Sequence, residues 1–263
     1  MTPEVVRGDS LVIGGGLVGA AMARAEVAAG RRVTVASRHA RDHAGLWRQF
    51  HVGDEPVWRG HPERVFIAVA PGSTEKASAV WGESLAKLIA RMAPSPVVLL
   101  GPAGVGEPSL DAFDALVGRL SIVTRVAVLR VPPLFGAEDR LIWPAACALR
   151  VGAVATVPRS LPVTRPLAVD DVVRAAQHLC GDGGDWSLAG AEHLDIPTLI
   201  AGLQARFGGQ WRTRWTLGPW RADELRRARA QSGVHGEWDD ERFGSRTSFA
   251  TWAARLPGPT RRR

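Results

Sequence analysis

The sequence predicts an α/β protein with a doubly wound parallel sheet, followed by a small C-terminal subdomain. Short apolar runs alternate with stretches of helical length over most of the chain, which is typical of parallel strands joined by right-handed crossovers. At 263 residues the chain is long enough to bury a full hydrophobic core. We place the first domain at residues 1–180 and the subdomain at 181–263. Residues 181–200 form a late strand and helix that could belong to either.

The predicted elements follow in a regular order. The run SLVIGG is a buried strand that ends in glycines, and a helix of good helix formers follows from Leu17 to Ala29, closed by Gly30. The next strands are RVTVAS, a weaker WRQFHV and a strongly apolar RVFIAVA. A helix over 74–92, the strand SPVVLLG, a helix over 109–120 and the strand TRVAVLRV complete the series.

Composition narrows the class of protein. Hydrophobic residues make up 46% of the chain and the mean hydropathy is −0.02, which is typical of a soluble globular protein. No apolar run reaches the length of a membrane span, and the N-terminal residues show no signal-peptide pattern. The two cysteines, Cys147 and Cys180, lie far apart in no metal-ligand spacing. We therefore expect a cytoplasmic protein without a membrane segment, a disulfide framework or a bound metal.

The net charge of +7 comes entirely from the C-terminal segment. Residues 201–263 carry 13 arginines against 6 acidic residues, whereas the charges of residues 1–200 cancel. This surplus could contact an anionic substrate, an acidic carrier protein or nucleic acid, or it could be a solvated helix face with a disordered tail. The neutral balance of the remaining chain argues against nucleic acid.

The glycines at the end of the first strand form a nucleotide-binding motif. Gly14, Gly16 and Gly19 give G-x-G-x-x-G between a strand and a helix, the setting in which this motif binds a dinucleotide pyrophosphate. Gly14 permits the tight turn, Gly16 the approach of the phosphates, and Gly19 the close packing of helix on strand. The amides of Leu17 and Val18 would face phosphate oxygens at the positive end of the helix. A glycine-rich turn that binds nothing is the alternative.

The end of the second strand selects the cofactor. Where an NAD- or FAD-binding protein carries a carboxylate for the ribose hydroxyls, this chain has Ser37 and Arg38. A carboxylate would repel a 2′-phosphate, whereas a hydroxyl and a guanidinium can bind it, and Arg41 could add a second cation. The sequence therefore favours NADP over NAD and argues against FAD. A merely solvated Arg38 is the alternative.

Five segments, taken in order, resemble one family nearly end to end. They are RVFIAVAPG, VVLLGPAGVGEP, VLRVPPLFG, TRPLAVDDVVRAAQHL and WSLAGAEHLDIPTLIAGLQARFG. They are similar to segments of the extended or atypical short-chain dehydrogenases/reductases (SDRs), of the NAD-dependent epimerase/dehydratase and NmrA-like kind. The resemblance implies a Rossmann domain with a small substrate-binding subdomain. It also implies that the fourth strand ends beside the nicotinamide ribose, at Ala70 and Pro71.

The residues that the family uses for catalysis are missing. The resemblance places the family's serine near Gly101 and Pro102, its tyrosine at Val105, its lysine at Ser109 and its helper asparagine near Ala79. The chain contains no tyrosine, so no shift of the alignment restores the set. A positioned proton donor contributes about 100- to 10,000-fold to the rate. The sequence therefore argues against standard SDR carbonyl reduction.

Residues elsewhere could supply a proton donor. Polar side chains follow the fourth strand, a charged loop follows the sixth, and a glycine-flanked loop lies towards the C terminus. The candidate catalytic residues in these three places are Ser73, Lys76, Glu138 and His235. A solvated surface position is the simpler interpretation of Lys76 and of the loop 138–140.

Two further features are open to more than one interpretation. Five of the ten tryptophans fall among the C-terminal arginines, and they predict either an aromatic, cation-lined ligand pocket or ordinary core packing. They are Trp211, Trp215, Trp220, Trp238 and Trp252. Asp170 and Asp171 are interpreted as the cap of a helix.

Three functions remain open. The first is an NADP(H)-dependent reductase of a specialised bacterial pathway, with an unconventional or substrate-borne proton donor. The second is a non-redox isomerase or cyclase on the same scaffold, and the third is an NmrA-like sensor that binds a dinucleotide and signals through a partner. We expect a small-molecule substrate that is aromatic or anionic. An acidic carrier protein as a partner and a homodimer are further alternatives.

Overall fold

The structure, a computed structural model, describes the larger part of the chain and divides it into two compact units. The described residues are 10–38, 45–49, 61–69, 83–92, 95–103, 108–137, 139, 142–158, 164–214, 238 and 240–258. The first unit comprises Met1–Pro102, Gly106–Arg130 and Val172–Ser187. The second comprises Ala103–Val105, Val131–Asp171 and Leu188–Arg263.

The first unit is built on a seven-stranded parallel sheet. Its strands are β1 (Ser10–Ile13), β2 (Val33–Ser37), β3 (Leu46–Gln49), β4 (Arg64–Ile67), β5 (Val97–Pro102), β6 (Val126–Val131) and β10 (Gly184–Ser187). Across the sheet they follow the order β3–β2–β1–β4–β5–β6–β10. The order reverses between β1 and β4, which makes this gap the topological switch point where ligands bind in open α/β sheets. The predicted doubly wound parallel sheet is confirmed.

Helices cover the sheet and explain why its central strands are largely apolar and buried. They are α1 (Leu17–Ala28), α2 (Glu83–Met92), α3 (Pro108–Val123) and α5 (Val169–Leu179). In α2 the residues Leu85, Leu88 and Ile89 recur at helical spacing, and all three are buried against the sheet. Of the helix predicted over 74–92, the structure describes the part from residue 83 onward.

The second unit has two short parallel strand pairs and a helical core. Strand β7 (Leu134–Phe135) pairs with β9 (Leu167–Ala168), and β8 (Ala155–Pro158) pairs with β11 (Trp211–Arg214). Its helices are α4 (Trp143–Arg150), α6 (Ile196–Phe207), α7 (Asp240–Phe243) and α8 (Phe249–Arg255). The predicted boundary after residue 180 assigns residues 131–171 to the first domain. In the structure these residues belong to the second unit, where α4 packs with α6 and β8 pairs with β11. Among the described helices, none has the length and hydropathy needed to cross a bilayer.

Candidate functional site

The glycine turn lies at the switch point of the sheet. The N–H of Gly14 donates to the carbonyl of Ala36 at 2.8 Å, and the N–H of Ala68, just after β4, donates to the carbonyl of Ile13 at 2.8 Å. Gly14 has φ +106°, a conformation that L side chains rarely adopt, and a Cβ there would collide with the carbonyl of Ala68. This position therefore requires glycine for two independent reasons.

The other two glycines of the motif have different surroundings. A Cβ at Gly19 would run into the carbonyl of Gly14 and lie 3.4 Å from Cγ1 of Val12, so helix α1 can pack this closely only without a side chain. Gly16 is exposed, and no heavy atom lies within 4 Å of the place where its Cβ would stand. Open space at the middle glycine is what the approach of a pyrophosphate needs. Phosphate binding by Gly16 stays a prediction.

The start of helix α1 is suited to an anion. Gly16 is its N-cap, without a side-chain cap hydrogen bond, and the first turn contains no acidic residue. The N–H of Ala20 donates to the carbonyl of Gly16 at 2.9 Å, and the amides of Leu17 and Val18 precede this first helical bond. These donors stand at the positive end of the helix dipole, where a phosphate is stabilised. The residues present therefore fit a dinucleotide pyrophosphate.

The carboxyl end of β2 carries a buried hydroxyl and an exposed cation. Ser37 is 9% exposed, and its Oγ accepts a hydrogen bond from Nε1 of Trp47, in β3, at 2.9 Å. Arg38 follows and is exposed to solvent. A cation in place of a carboxylate suits an anionic group such as a 2′-phosphate. Arg41 lies outside the described residues.

The position that the resemblance assigns to the family's serine is closed by an aromatic ring. Gly101 is buried at the end of β5, and a Cβ there would collide with the ring of Phe113 in α3, which is itself fully buried. The following residues, Pro102 and Ala103, carry no polar side chain. A serine could not be accommodated at Gly101 without moving this ring. Val105 and Ala79 lie outside the described residues, and Ser109 is described by its backbone alone.

A cluster of three charged side chains lies next to the ring of Phe113. The guanidinium of Arg130 lies 5.6 Å from the ring centroid, and its Nη2 donates to Asp114 at 2.7 Å and to Asp185 at 2.8 Å. The hydrogen bond to Asp185 is the main cause that keeps the pKa of Arg130 above its usual value, against the opposing effect of burial. Arg130 therefore stays positively charged, packs against Phe113 and does not act as a proton donor.

The candidate catalytic residues stay predictions, because all four lie outside the described residues. They are Ser73, Lys76, Glu138 and His235. The same holds for the two residues expected beside the nicotinamide ribose, Ala70 and Pro71.

Asp139, in the charged loop 138–140, is described, and the expectation of a solvated surface position is wrong for it. Its side chain is 3% exposed. The carboxylate accepts hydrogen bonds from the amides of Gly136 at 3.2 Å, Ile142 at 2.5 Å and Trp143 at 3.2 Å. Amides at the start of α4 are unsatisfied donors and attract a carboxylate, so the residue is drawn inside as a cap.

Asp171 also has a structural role. It is fully buried, and its carboxylate accepts from the N–H of Thr247 at 2.7 Å and from its hydroxyl at 3.0 Å. Arg246 donates to the carbonyl of Gly190 at 3.1 Å, and the N–H of Phe249 donates to Glu192 at 2.5 Å. These bonds fix the segment that leads into α8. The interpretation of Asp171 as a helix cap did not foresee this long-range partner.

Two of the C-terminal tryptophans have described side chains, and both contribute to packing. Trp252 packs edge-on against Phe135 and at a tilt against Phe249, with ring centroids 5.5 and 5.6 Å apart. Trp238 lies 5.2 Å from the ring of Phe243 and donates its indole N–H to the carbonyl of Gly244 at 2.9 Å. These contacts agree with the core-packing interpretation of the two residues. Trp215 and Trp220 lie outside the described residues, and Trp211 is described by its backbone in β11.

Solved structures share this fold, although neither a family model nor a curated protein matches the chain by sequence. UDP-glucose 4-epimerase from Thermotoga maritima, solved with UDP-glucose, has a TM-score of 0.72 and 16% identity over 93% of this chain and 96% of its own. The enzyme WbmG from Bordetella bronchiseptica, solved with NAD and UDP, gives 0.63 and 16% over 92% and 93%. A short-chain dehydrogenase/reductase superfamily protein from Agrobacterium tumefaciens, with bound NAD, gives 0.61 and 15% over 89% and 94%. The resemblance to the epimerase/dehydratase and SDR proteins is confirmed at the level of the fold.

Proposed function

We propose that the protein binds NADP(H) at the glycine turn and works as an atypical SDR-like oxidoreductase on a small molecule of specialised metabolism. The observation that carries the proposal is the combination at the switch point of the sheet: a left-handed turn at Gly14 that only glycine can form, open space at Gly16 and an acid-free start of α1. Each of the three favours the binding of a dinucleotide pyrophosphate. Bound there, the nicotinamide would donate or accept a hydride.

In this proposal the chain divides the recognition of the cofactor between backbone and side chain. The amides of Leu17 and Val18 bind the pyrophosphate. Arg38, exposed at the end of β2, binds the 2′-phosphate, and its planar guanidinium can do so with two parallel hydrogen bonds. Similar structures are described with NAD, so the preference for NADP is specific to this proposal and depends on Arg38.

The proton in this chemistry has to come from an unconventional source. A serine–tyrosine–lysine set is excluded because the chain has no tyrosine, and the ring of Phe113 occupies the space beside Gly101. The remaining sources are the substrate itself or one of the candidate residues, which are Ser73, Lys76, Glu138 and His235. The protein's own contribution is then to bind and orient the reactants.

A second candidate function is binding of the dinucleotide without redox turnover, in an isomerase, a cyclase or a sensor that acts through a partner. The complete absence of tyrosine favours it, because the usual acid of the family is missing. Oxidation of NADPH in the presence of carbonyl or alkene substrates separates the first function from the second. Capture of a partner protein that depends on NADP⁺ would mark the sensor.

Calorimetric titration with NADP⁺, NADPH and NAD⁺ tests the proposal. We expect micromolar binding of NADP(H) and weaker binding of NAD⁺. Arg38→Ala should weaken NADP⁺ about 10- to 100-fold, the range of charge-assisted hydrogen bonds, and leave NAD⁺ within about twofold. Arg24→Ala is the matched control, since Arg24 is also an exposed arginine of this unit but lies within α1. If none of the three dinucleotides binds, the proposal is overturned.

A further inference from the structure

Three helices of the second unit end at the same place. Arg206, in the last turn of α6, donates from Nε and Nη2 to the carbonyl of Leu256 at 2.9 and 2.5 Å, just beyond the end of α8. A Cβ at Gly209, two residues after α6, would stand 3.1 Å from Cδ2 of Leu149 near the end of α4. The carboxyl ends of α4, α6 and α8 therefore form one surface.

This surface carries positive charge only. Each of the three helices has an arginine in its last turn, Arg150 in α4, Arg206 in α6 and Arg255 in α8. No aspartate or glutamate occurs in the segments that contain these helices and their neighbouring strands, which are residues 142–158, 196–214 and 249–258. Carboxylates contact the opposite ends, where Asp139 and Asp195 accept from the first amides of α4 and α6.

The helix dipole accounts for only part of this charge. A helix carboxyl end carries about half a negative elementary charge, so three such ends compensate about one and a half of the three positive charges. Within the described part of the chain, the side chains of Arg150 and Arg255 make no hydrogen bond or ion pair. Arg255 is exposed and Arg150 is half-buried. The surface therefore keeps a positive surplus that the described residues do not neutralise.

Exposed apolar side chains lie next to these arginines. The turn 151–154 joins α4 to β8, and Val151 and Val154 are 41% and 40% exposed. Gly152 has φ +73°, and its N–H donates to the carbonyl of Leu149 at 3.0 Å, so the turn is fixed against the end of α4. Apolar side chains together with arginine are typical of a protein–protein interface. We call Arg150, Arg206, Arg255 and the turn 151–154 the arginine end.

We propose that the arginine end binds an acidic helix of a partner protein. Carboxylates on one face of such a helix would pair with the guanidinium groups, and apolar side chains beside them would cover Val151 and Val154. The exposed, described residues of the arginine end include no aromatic ring, so they offer no platform on which the bases of a nucleic acid could stack. The inference is independent of the proposed function, because none of these residues belongs to the proposed cofactor site.

Two synthetic peptides test the inference on the full-length protein. The first is helical and carries a row of glutamates beside a row of leucines, and the second has glutamine in place of every glutamate. We expect the glutamate peptide to bind at least about tenfold more tightly at low salt, and its affinity to fall as the salt concentration rises. Calorimetry measures both dissociation constants. No binding of the glutamate peptide, or equal binding of the two, would overturn the inference.

Removal of two arginines locates the binding. Arg150→Ala combined with Arg255→Ala should weaken the glutamate peptide about 3- to 30-fold, the range of two exposed ion pairs. Arg91→Ala combined with Arg119→Ala is the matched control. It removes the same charge at exposed positions of α2 and α3, and Arg91 likewise stands in the last turn of its helix. The control should stay within about twofold of wild type, and equal weakening by both pairs would overturn the inference.

Substitution in the turn tests the apolar contact and keeps every charge. Val151→Ser combined with Val154→Ser should weaken the glutamate peptide about 2- to 10-fold, because two half-exposed valines no longer gain from burial. These side chains are exposed, so the pair also serves as the second test should the arginine variant fold poorly. An unchanged affinity would mean attraction by charge alone and would overturn the inference.

Other polyanions decide whether the partner is a protein. A single-stranded DNA oligonucleotide and phosphatidylcholine vesicles with added phosphatidylserine are titrated against the same variants. Tighter binding of either than of the glutamate peptide, lost in the Arg150→Ala and Arg255→Ala protein, would assign the arginine end to a nucleic acid or a membrane surface and overturn the inference. The affinity for NADP⁺ should be the same in all variants. Wild-type protein that binds no dinucleotide removes the proposed function and leaves this inference in place.

Discussion

The two ends of the strands in the first unit differ in how their polar groups are satisfied. At the carboxyl end of β1, helix α1 starts without a side-chain cap and without an acidic residue. At the amino end, Glu26 is fully buried and accepts hydrogen bonds from Ser10 at 2.5 Å and Gln177 at 2.8 Å. Arg31 and Arg64 approach the same carboxylate at 3.5 and 3.8 Å. The amino end is compensated from within the protein, whereas the carboxyl end offers donors to a ligand.

This contrast separates binding from stability along a single helix. Helix α1 begins at the glycine turn and carries Glu26 near its other end. The buried carboxylate links α1 to three other elements, because Ser10 belongs to β1, Arg64 to β4 and Gln177 to α5. The fourth polar neighbour, Arg31, lies between α1 and β2. Substitutions at the amino end should therefore change the free energy of unfolding, and substitutions at the carboxyl end should change the affinity for the dinucleotide.

The largest effect is expected from Glu26→Ala. The substitution removes the acceptor of Ser10 and Gln177 and a buried counter-charge of Arg31 and Arg64, which costs about 3–5 kcal/mol in the free energy of unfolding. Glu63→Ala is the matched control: Glu63 also pairs with Arg31, at 3.3 Å, but its side chain is 66% exposed, so the change should stay within about 0.5 kcal/mol. Urea unfolding measures both. Equal effects of the two substitutions would contradict the assignment of the amino end to stability.

Gly19→Ala should lower both the stability of the protein and its affinity for the dinucleotide, because Gly19 belongs to the glycine turn and also lets α1 pack closely on it. Its Cβ would strike the carbonyl of Gly14, and we expect a loss of about 2–3 kcal/mol in stability together with loss of dinucleotide binding. Gly118→Ala is the control, an exposed glycine within α3 whose Cβ meets no atom within 4 Å. It should gain about 0.5–1 kcal/mol in thermal or urea unfolding. A stable Gly19→Ala protein would show that the helix can move away from the turn.

Gly101→Ser tests whether a serine can be accommodated at the position where the resemblance places the family's serine. The serine would collide with the ring of Phe113, so we expect a loss of about 1–3 kcal/mol in stability and no gain in NADPH-dependent reduction. Gly101→Ala separates the steric cost from the hydroxyl and should lose a similar amount. Unfolding curves and a reductase assay on the same preparations provide the readout. A stable variant with new reductase activity would contradict the closed geometry at this position.

The smallest effect is expected at Cys180, near the Glu26 cluster. Burial, as the main cause, raises the pKa of this thiol from 9.0 to about 11. Because the folded pKa lies above the unfolded one, the protonated thiol contributes stability that is fully present below pH 9 and is lost as the pH rises through 11. In Cys180→Ala the free energy of unfolding should fall less steeply between pH 9 and 11, as measured by urea unfolding at fixed pH values. The chain has no tyrosine to titrate in this interval. An identical slope in wild type and variant would contradict the prediction, with Cys147→Ala as the control for loss of a half-buried thiol.

The elements that the sequence predicted well are those set by local pattern. The strands β1, β2, β4, β5 and β6 lie within or beside the apolar runs that predicted them, because a strand covered by helices must be apolar along its length. The helix predicted over 109–120 begins at Pro108 and extends to Val123, since Gly118 is tolerated inside it and no proline follows to stop it. The glycine motif placed the turn correctly at the switch point because its glycines serve backbone conformation and close approach, which depend on a few consecutive residues.

The elements that the sequence could not predict depend on partners far away along the chain. Asp139 and Asp171 looked like surface or capping residues, and only the packed second unit shows them buried. The ring of Phe113 against Gly101 and the bond from Trp47 to Ser37 are likewise contacts between separate elements. No periodicity or motif encodes such pairs, because which side chains meet depends on how helices and strands pack.

By itself the sequence determined the fold class, the position of the glycine turn and the absence of the usual acid, because apolar periodicity, glycine spacing and the lack of tyrosine are properties of the chain alone. The tertiary structure decided which polar groups are already satisfied. It engaged Ser37 with Trp47, closed Gly101 with Phe113 and enclosed Glu26 among four partners, while Gly16 stayed open. The physical reason is that a hydrogen bond or a steric contact needs two groups in space, and only folding brings them together.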